Sequence, residues 1–243
     1  MIVGRLEYLK MNKRRSILST SLLESDALQI TAAAGIEMDT IPFISVSYIE
    51  SDSLIEKILS LAAQKLHVVF TSKHAVKAVK NILNEKEVNW SIFCLGSNTK
   101  NIVNQCFKSN NLIGFAHNAA DLAIEIGKEQ LESVVFFCGD LRLDTLPDRL
   151  TKLGVKVQEK IVYRSIATPH KAEKEYDGIL FFSPSGVHSF FGSNVISGNT
   201  TLFAIGQTTA EVVSSYSDNI LLVSEQPSKM QVVTDAVKYF SNK

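Results

Sequence analysis

Two segments of the chain share one plan. Val68-Val69-Phe70-Thr71-Ser72-Lys73-His74-Ala75-Val76 and Leu180-Phe181-Phe182-Ser183-Pro184-Ser185-Gly186-Val187 each run from a short apolar stretch through hydroxyl residues into a helix start. An apolar run this short, bounded by capping residues, suits a strand buried on both faces of a parallel sheet. About two dozen residues later each copy is followed by a second matching pair, Ile92-Phe93-Cys94-Leu95-Gly96-Ser97-Asn98-Thr99 and Leu202-Phe203-Ala204-Ile205-Gly206-Gln207-Thr208-Thr209. The repeat continues into a third strand and helix start in each copy, Leu112–Phe115 with Asn118–Ile126 and Ile220–Val223 with Ser228–Val237. The chain therefore reads as two related α/β units.

The periodicity predicts strands at 16–20, 37–41, 67–71, 92–95, 112–115, 134–138, 155–158, 179–182, 202–205 and 220–223. It predicts helices at 24–34, 52–64, 74–84, 98–106, 119–128, 142–153, 186–191, 207–216 and 228–241. This alternation is the mark of βα units with right-handed crossovers. The second copy starts near residue 176 and ends before it could complete a five-stranded sheet, whereas a spare βαβ unit stands at 16–41. The expected organisation is thus a discontinuous α/β domain from 1–43 and 168–243, an inserted α/β domain at 50–159, and linker strands at 44–49 and 160–167. The linkers run in opposite directions, so they are expected to pair as a two-stranded antiparallel hinge, wet on both sides and flexible.

The length of 243 residues suits two small domains. With 25 acidic and 25 basic residues the formal charge is zero, so no global field recruits nucleic acid or a membrane surface. Cys94, Cys106 and Cys138 show no C-x-x-C spacing, which suits buried, reduced thiols in a cytoplasmic protein. Arg5, Glu7 and Lys10 interrupt the only apolar stretch that could serve as a leader, and no run approaches the ~20 apolar residues of a membrane span. Met11 is expected to be the natural start, with residues 1–10 dispensable.

Ligands of open parallel sheets bind beyond the carboxyl ends of the strands. Ser72, Ser183, Ser185, Thr99, Thr208 and Thr209 all fall there, either as helix caps or as contacts to a ligand. Gly96, Gly139, Gly186 and Gly206 mark points where backbone comes close to something or takes positive φ. Nucleotide fingerprints, a G-x-S-x-G elbow and H-E-x-x-H are missing. His67, His74, His117, His170 and His188 lack metal-ligand spacing; structural or solvated roles are expected, with His74 kept open because it follows the Thr71-Ser72-Lys73 loop. Arg142 is either an exposed helix residue or an electrostatic clamp. Tyr163 stands on a linker strand, as hinge packing or as a functional group.

One ordered set of residues resembles the uroporphyrinogen-III synthase family: Phe70-Thr71-Ser72 with Ala75-Val76, Gly96 with Thr99, Cys138-Gly139 with Leu146-Pro147, Val162-Tyr163, Phe181-Phe182-Ser183-Pro184-Ser185-Gly186, and Ala204-Ile205-Gly206 with Thr208-Thr209-Ala210. It extends from about residue 16 to 240. The resemblance implies two flavodoxin-like domains joined by a two-stranded ladder, the first split between the chain's ends. It implies a cyclising lyase of haem biosynthesis that acts on hydroxymethylbilane, a linear tetrapyrrole with eight carboxylates, without cofactor or metal; a monomer is expected. By the same resemblance Tyr163 is the catalytic candidate. Thr71, Ser72, Thr99, Cys138, Gly139, Ser183, Ser185, Gly186, Thr208 and Thr209 are the substrate-binding candidates. Gln207 stands where the family often has proline, Lys100 where it has alanine, and no family role transfers to His74. The competing reading is a noncatalytic two-domain module for an anionic small molecule or tetrapyrrole; a receiver-like signalling domain lacks its acidic cluster.

Overall fold

A computed structural model describes residues 14–242; the expected start at Met11 lies outside them. In chain order the first elements are β1 (Ser16–Ser19), α1 (Ser25–Ala33), β2 (Glu37–Thr40), β3 (Ile44–Tyr48), α2 (Asp52–Ala62), β4 (Leu66–Phe70), α3 (Lys73–Leu83), β5 (Trp90–Leu95) and α4 (Ser97–Cys106). There follow β6 (Leu112–Ala116), α5 (Ala119–Lys128), β7 (Ser133–Gly139), α6 (Thr145–Lys152) and β8 (Lys156–Ala167). The chain closes with β9 (Gly178–Phe181), α7 (Pro184–Phe191), β10 (Thr201–Ala204), α8 (Gln207–Ser214), β11 (Leu221–Val223) and α9 (Lys229–Ser241). It divides into two compact units, Met1–Ser45 with Ala167–Lys243, and Val46–Ile166.

The discontinuous unit is a five-stranded parallel sheet in the order β11-β10-β9-β1-β2. Counted along the chain this is the 2-1-3-4-5 order of flavodoxin-like folds. Alternation along each strand divides the side chains between two cores. Ile17, Leu180 and Phe203 pack with Ala27 of α1 and Val232, Val233 and Ala236 of α9. Leu18, Ile179, Phe181 and Leu202 pack with Val187 and Phe190 of α7 and Val213 of α8. The central strands β1, β9 and β10 are buried along their length and apolar in their centres, because both faces are covered.

In the continuous unit the order is β3-β8-β7-β4-β5-β6. Strands β8-β7-β4-β5-β6 are parallel and reproduce the arrangement of the other sheet, with β7 and β8 in the places of β1 and β2. The two units are thus circular permutations of one plan. Val68, Phe70, Ile92, Val135 and Phe137 face α2, α3 and α4, whereas Val69, Phe93, Val134 and Phe136 face α5 and α6. Fully buried Phe70, Phe93, Phe136 and Phe137 each contribute about 1.5–3 kcal/mol of transfer free energy. Helices change faces between β4 and β7 here, and between β9 and β1 in the other unit. These are the topological switch points at which open α/β sheets accept ligands.

Two elements differ from their sequence expectation. The strand expected at 155–158 and the linker expected at 160–167 form one strand, β8, hydrogen-bonded in parallel to β7 as far as Tyr163. The pairing carries on because the register shifts between Cys138 and Gly139, and the bulge admits the strand beside a residue without a side chain. Strand β3 flanks β8, with Ile49 N–H donating to Val162 O at 3.1 Å. The helix expected from 142 starts at Thr145, because Arg142 is drawn onto Glu159 and Asp144, leaving Leu141 and Leu143 exposed in the turn.

Candidate active site

The switch point of the continuous unit brings together three residues that the sequence places far apart. β4 ends at Phe70, and Ser72 caps α3 by accepting the His74 N–H at 3.2 Å. β7 ends at Gly139, opposite Tyr163 of β8. The phenol of Tyr163 lies over the Gly139 Cα: a Cβ built there would sit 2.4 Å from Cζ, 2.6 Å from Cε2 and 2.7 Å from the hydroxyl oxygen. Only glycine leaves room for the ring. The Tyr163 hydroxyl hydrogen-bonds to Ser72, and the His74 ring stands 5.8 Å away, tilted by 53°. Past the bulge, Asp140 N–H donates to Tyr163 O and Ser165 N–H donates to Asp140 Oδ1 at 2.9 Å.

Burial pushes the Tyr163 phenol above its ordinary pKa; the Ser72 hydrogen bond opposes this, while Cys138 and Asp140 add to it. The group is therefore a neutral O–H at physiological pH.

The other candidates of this unit occupy different surroundings. Thr71 is half-buried beside Ser72. Thr99 is only 5% exposed, so it offers a ligand its backbone more than its hydroxyl. Cys138 is fully buried among side chains of α5 and α6, and burial first, then Glu159, pushes its thiol up to about 11. Arg142, expected as a surface residue or a clamp, is held by Glu159 at 2.8 Å and by Asp144. Lys100 lies over the Phe115 ring, 4.5 Å from its centroid.

The discontinuous unit repeats the pattern at its own switch point. Ser183 caps α7 by accepting the Gly186 N–H at 3.1 Å, and its hydroxyl lies 3.1 Å from that of Ser185. A Cβ on Gly186 would meet Ser183 Oγ at 3.2 Å and Thr20 Oγ1 at 3.9 Å. In the first turn of α8, after the adjacent strand β10, Thr208 is exposed and Thr209 is 4% exposed. Thr20, Ser21 and Lys229 belong to the same edge and escaped the sequence reading. Thr20 donates its hydroxyl to Leu180 O at 2.7 Å, and Lys229 reaches Ser21 and Leu22 O while lying over Phe182. The run Ser19-Thr20-Ser21, closing a buried strand, carries the same signal as Thr71-Ser72 and could have disclosed the first two.

Helix starts fall into two kinds. Ser51, Ser72, Asn118, Ser183 and Ser228 cap α2, α3, α5, α7 and α9 with side-chain oxygens. Among the described residues the other four have no side-chain cap: α1 after Glu24, α6 after Asp144, and α4 and α8 after Gly96 and Gly206, which hold matching places in the two copies; their first-turn N–H groups remain open to an acceptor. A cavity of about 770 Å³ lined by Tyr176, Asn194 and Thr200 precedes β9 and β10, at the amino ends of the strands and away from this chemistry. Among the described residues no group of three or more His, Cys, Asp or Glu could hold a metal ion, and no helix is long and apolar enough to cross a membrane.

Comparison with known proteins agrees with this construction. The family model described as uroporphyrinogen-III synthase HemD matches residues 26–233. A uroporphyrinogen-III synthase of Chlorobaculum parvum is 25% identical over 138 residues, covering 50% of this chain and 56% of that protein; the match spans about half the length of this curated relative. Among solved structures, uroporphyrinogen-III synthetase from Helicobacter pylori has a TM-score of 0.66 at 17% identity, covering 93% of this chain and 99% of that one. A mutant uroporphyrinogen III synthase from Thermus thermophilus has a TM-score of 0.62 at 11% identity, over 94% and 100%. At these identities the structural likeness speaks for the fold, and the family match, which spans most of the sequence, speaks for descent. The chain belongs to the uroporphyrinogen-III synthase family.

Proposed function

We propose that the protein dehydrates and cyclises hydroxymethylbilane, inverting the last pyrrole ring to give uroporphyrinogen III. The observation that carries this reading is the Tyr163 phenol, fixed over Gly139 and hydrogen-bonded to Ser72 at a switch point. Tyr163 donates its proton to the hydroxymethyl oxygen as the C–O bond breaks, and the pyrrole nitrogen's electrons expel water to leave an azafulvene. The substituted carbon of the last ring attacks this electrophile, and the spiro intermediate fragments and recloses with that ring inverted. Aromatisation releases a proton, which restores the phenol.

Unassisted closure gives the symmetrical type I isomer, so the protein's contribution is positioning and charge stabilisation. Within each unit an uncapped helix start, α4 in one and α8 in the other, offers N–H groups suited to a carboxylate, favoured by the helix dipole, and in the discontinuous unit Ser183, Ser185 and Thr208 add hydroxyl donors. This lets a chain of zero net charge hold a polyanion. The fully buried Cys94 and Cys138, with thiols pushed up to about 11 chiefly by burial, suit a reducing cytoplasm. The test is product identity. Purified protein given freshly generated hydroxymethylbilane yields type III porphyrinogen, resolved as oxidised isomers; type I alone at the unassisted rate would mark a binding module instead.

A further inference from the structure

We propose that His74 is a positioning residue for Tyr163, an inference that rests on the reaction proposed above. Among the groups that border the phenol are the Gly139 backbone against one region of the ring, Ser72 at the hydroxyl, and the His74 imidazole with its centroid 5.8 Å from that of the phenol. His74 acts on two of these contacts at once. Its main-chain N–H donates to Ser72 Oγ, which fixes the hydroxyl's partner, while its ring limits the swing of the phenol. The backbone that carries the imidazole is anchored, because it belongs to the first turn of α3, whose next residues Ala75 and Val76 are fully buried.

The capping bond uses the main-chain N–H of this position, which any residue but proline supplies. Here the half-buried ring stands beside the phenol, 5.8 Å between centroids and tilted by 53°. Without it, Tyr163 keeps Gly139 and Ser72 but loses a lateral wall, and a displacement of about 1 Å in a proton donor is enough to cost one to two orders of magnitude in rate.

The experiment uses the full chain with His74→Ala and His74→Phe, each alone and combined with Tyr163→Phe, in steady-state assays on hydroxymethylbilane. His74→Ala lowers kcat about tenfold with KM within about twofold, and His74→Phe, which restores a flat ring, recovers most of the loss. In the Tyr163→Phe background His74→Ala costs less than about twofold, since the two residues act as one unit. Fluorine NMR of fluorotyrosine-labelled protein reads the packing without turnover. The Tyr163 resonance, identified by its loss in Tyr163→Phe, moves toward the free amino acid's position in His74→Ala and stays near the parent position in His74→Phe. An undiminished loss in the Tyr163→Phe background, a change confined to KM, or an unmoved resonance would overturn the inference. If the parent protein makes only type I product, the proposed reaction fails on its own account, and the NMR comparison still decides the positional claim.

Discussion

Replacing Gly139 by alanine tests the site at its tightest point. Alanine in place of an interior strand glycine ordinarily stabilises, because glycine loses more backbone freedom on folding. Here the new Cβ would lie 2.4 Å from Tyr163 Cζ and 2.7 Å from its oxygen, against the roughly 3.5–4.0 Å of an ordinary carbon contact. The ring must retreat by about 1 Å or more. Overpacking of this kind costs about 1–3 kcal/mol, and losing the Ser72 hydrogen bond adds about 0.5–1.5 kcal/mol. Gly139→Ala is therefore expected to lower stability by about 2–4 kcal/mol and type III formation by about a hundredfold. Urea unfolding at constant m-value measures the first, and isomer-resolved initial rates measure the second. In a Tyr163→Ala background, where the ring is gone, the same substitution should change stability by less than about 0.5 kcal/mol. Unaltered stability and rate in the single variant, or an equal loss with the ring removed, would refute the steric argument.

Three further outcomes follow from the same geometry. Tyr163→Phe removes one hydroxyl from an otherwise unchanged site, so type III formation should fall about 10- to 100-fold while the far-ultraviolet spectrum stays the same; undiminished turnover removes the phenol from the reaction. The Tyr163 pKa is raised in the folded state, so its contribution to stability is constant below the ordinary tyrosine value and declines as pH rises from there through the folded value. Alkaline unfolding should accordingly be less steep in Tyr163→Phe than in the parent, with Tyr176, whose phenol burial and then Asp39 push up to about 12, common to both proteins. A thiol reagent should modify Cys106, which is half-buried, ahead of the fully buried Cys94 and Cys138; equal rates in native protein would contradict the burial.

The strands and helices were legible because their signals are local: a short apolar run, a hydroxyl cap, a change of period from 2 to 3.6. So was the assignment of 16–41 to the C-terminal sheet, which follows from counting strands. The course of β8 was not, since its pairing depends on Gly139 meeting Tyr163 across a bulge, a contact between residues with no common local pattern. Residue type likewise disclosed that Thr99 and Thr209 stand at strand-to-helix junctions, but not that both turn inward. That depends on which face of the first helical turn meets the sheet, since neighbouring helix positions point about 100° apart. Lys229 escaped because a single lysine at a helix start is ordinary until Phe182 and Ser21 are placed under it.

Circular permutation has a consequence for how the chain acquires its structure. In the continuous unit several neighbouring strands pair over short stretches of sequence, each with one crossover helix, as Leu66 does with Trp90. In the other, Ser16 finds Asp177 across 161 residues, and β1 cannot join β9 until nearly the whole chain has left the ribosome. Loop-closure entropy makes such a pairing slow. The N-terminal βαβ segment must wait with its apolar strand unpaired while residues 46–166 form complete. During synthesis the order of folding is then the reverse of the order of emergence, and the exposed β1 edge is where a holding chaperone would be needed most.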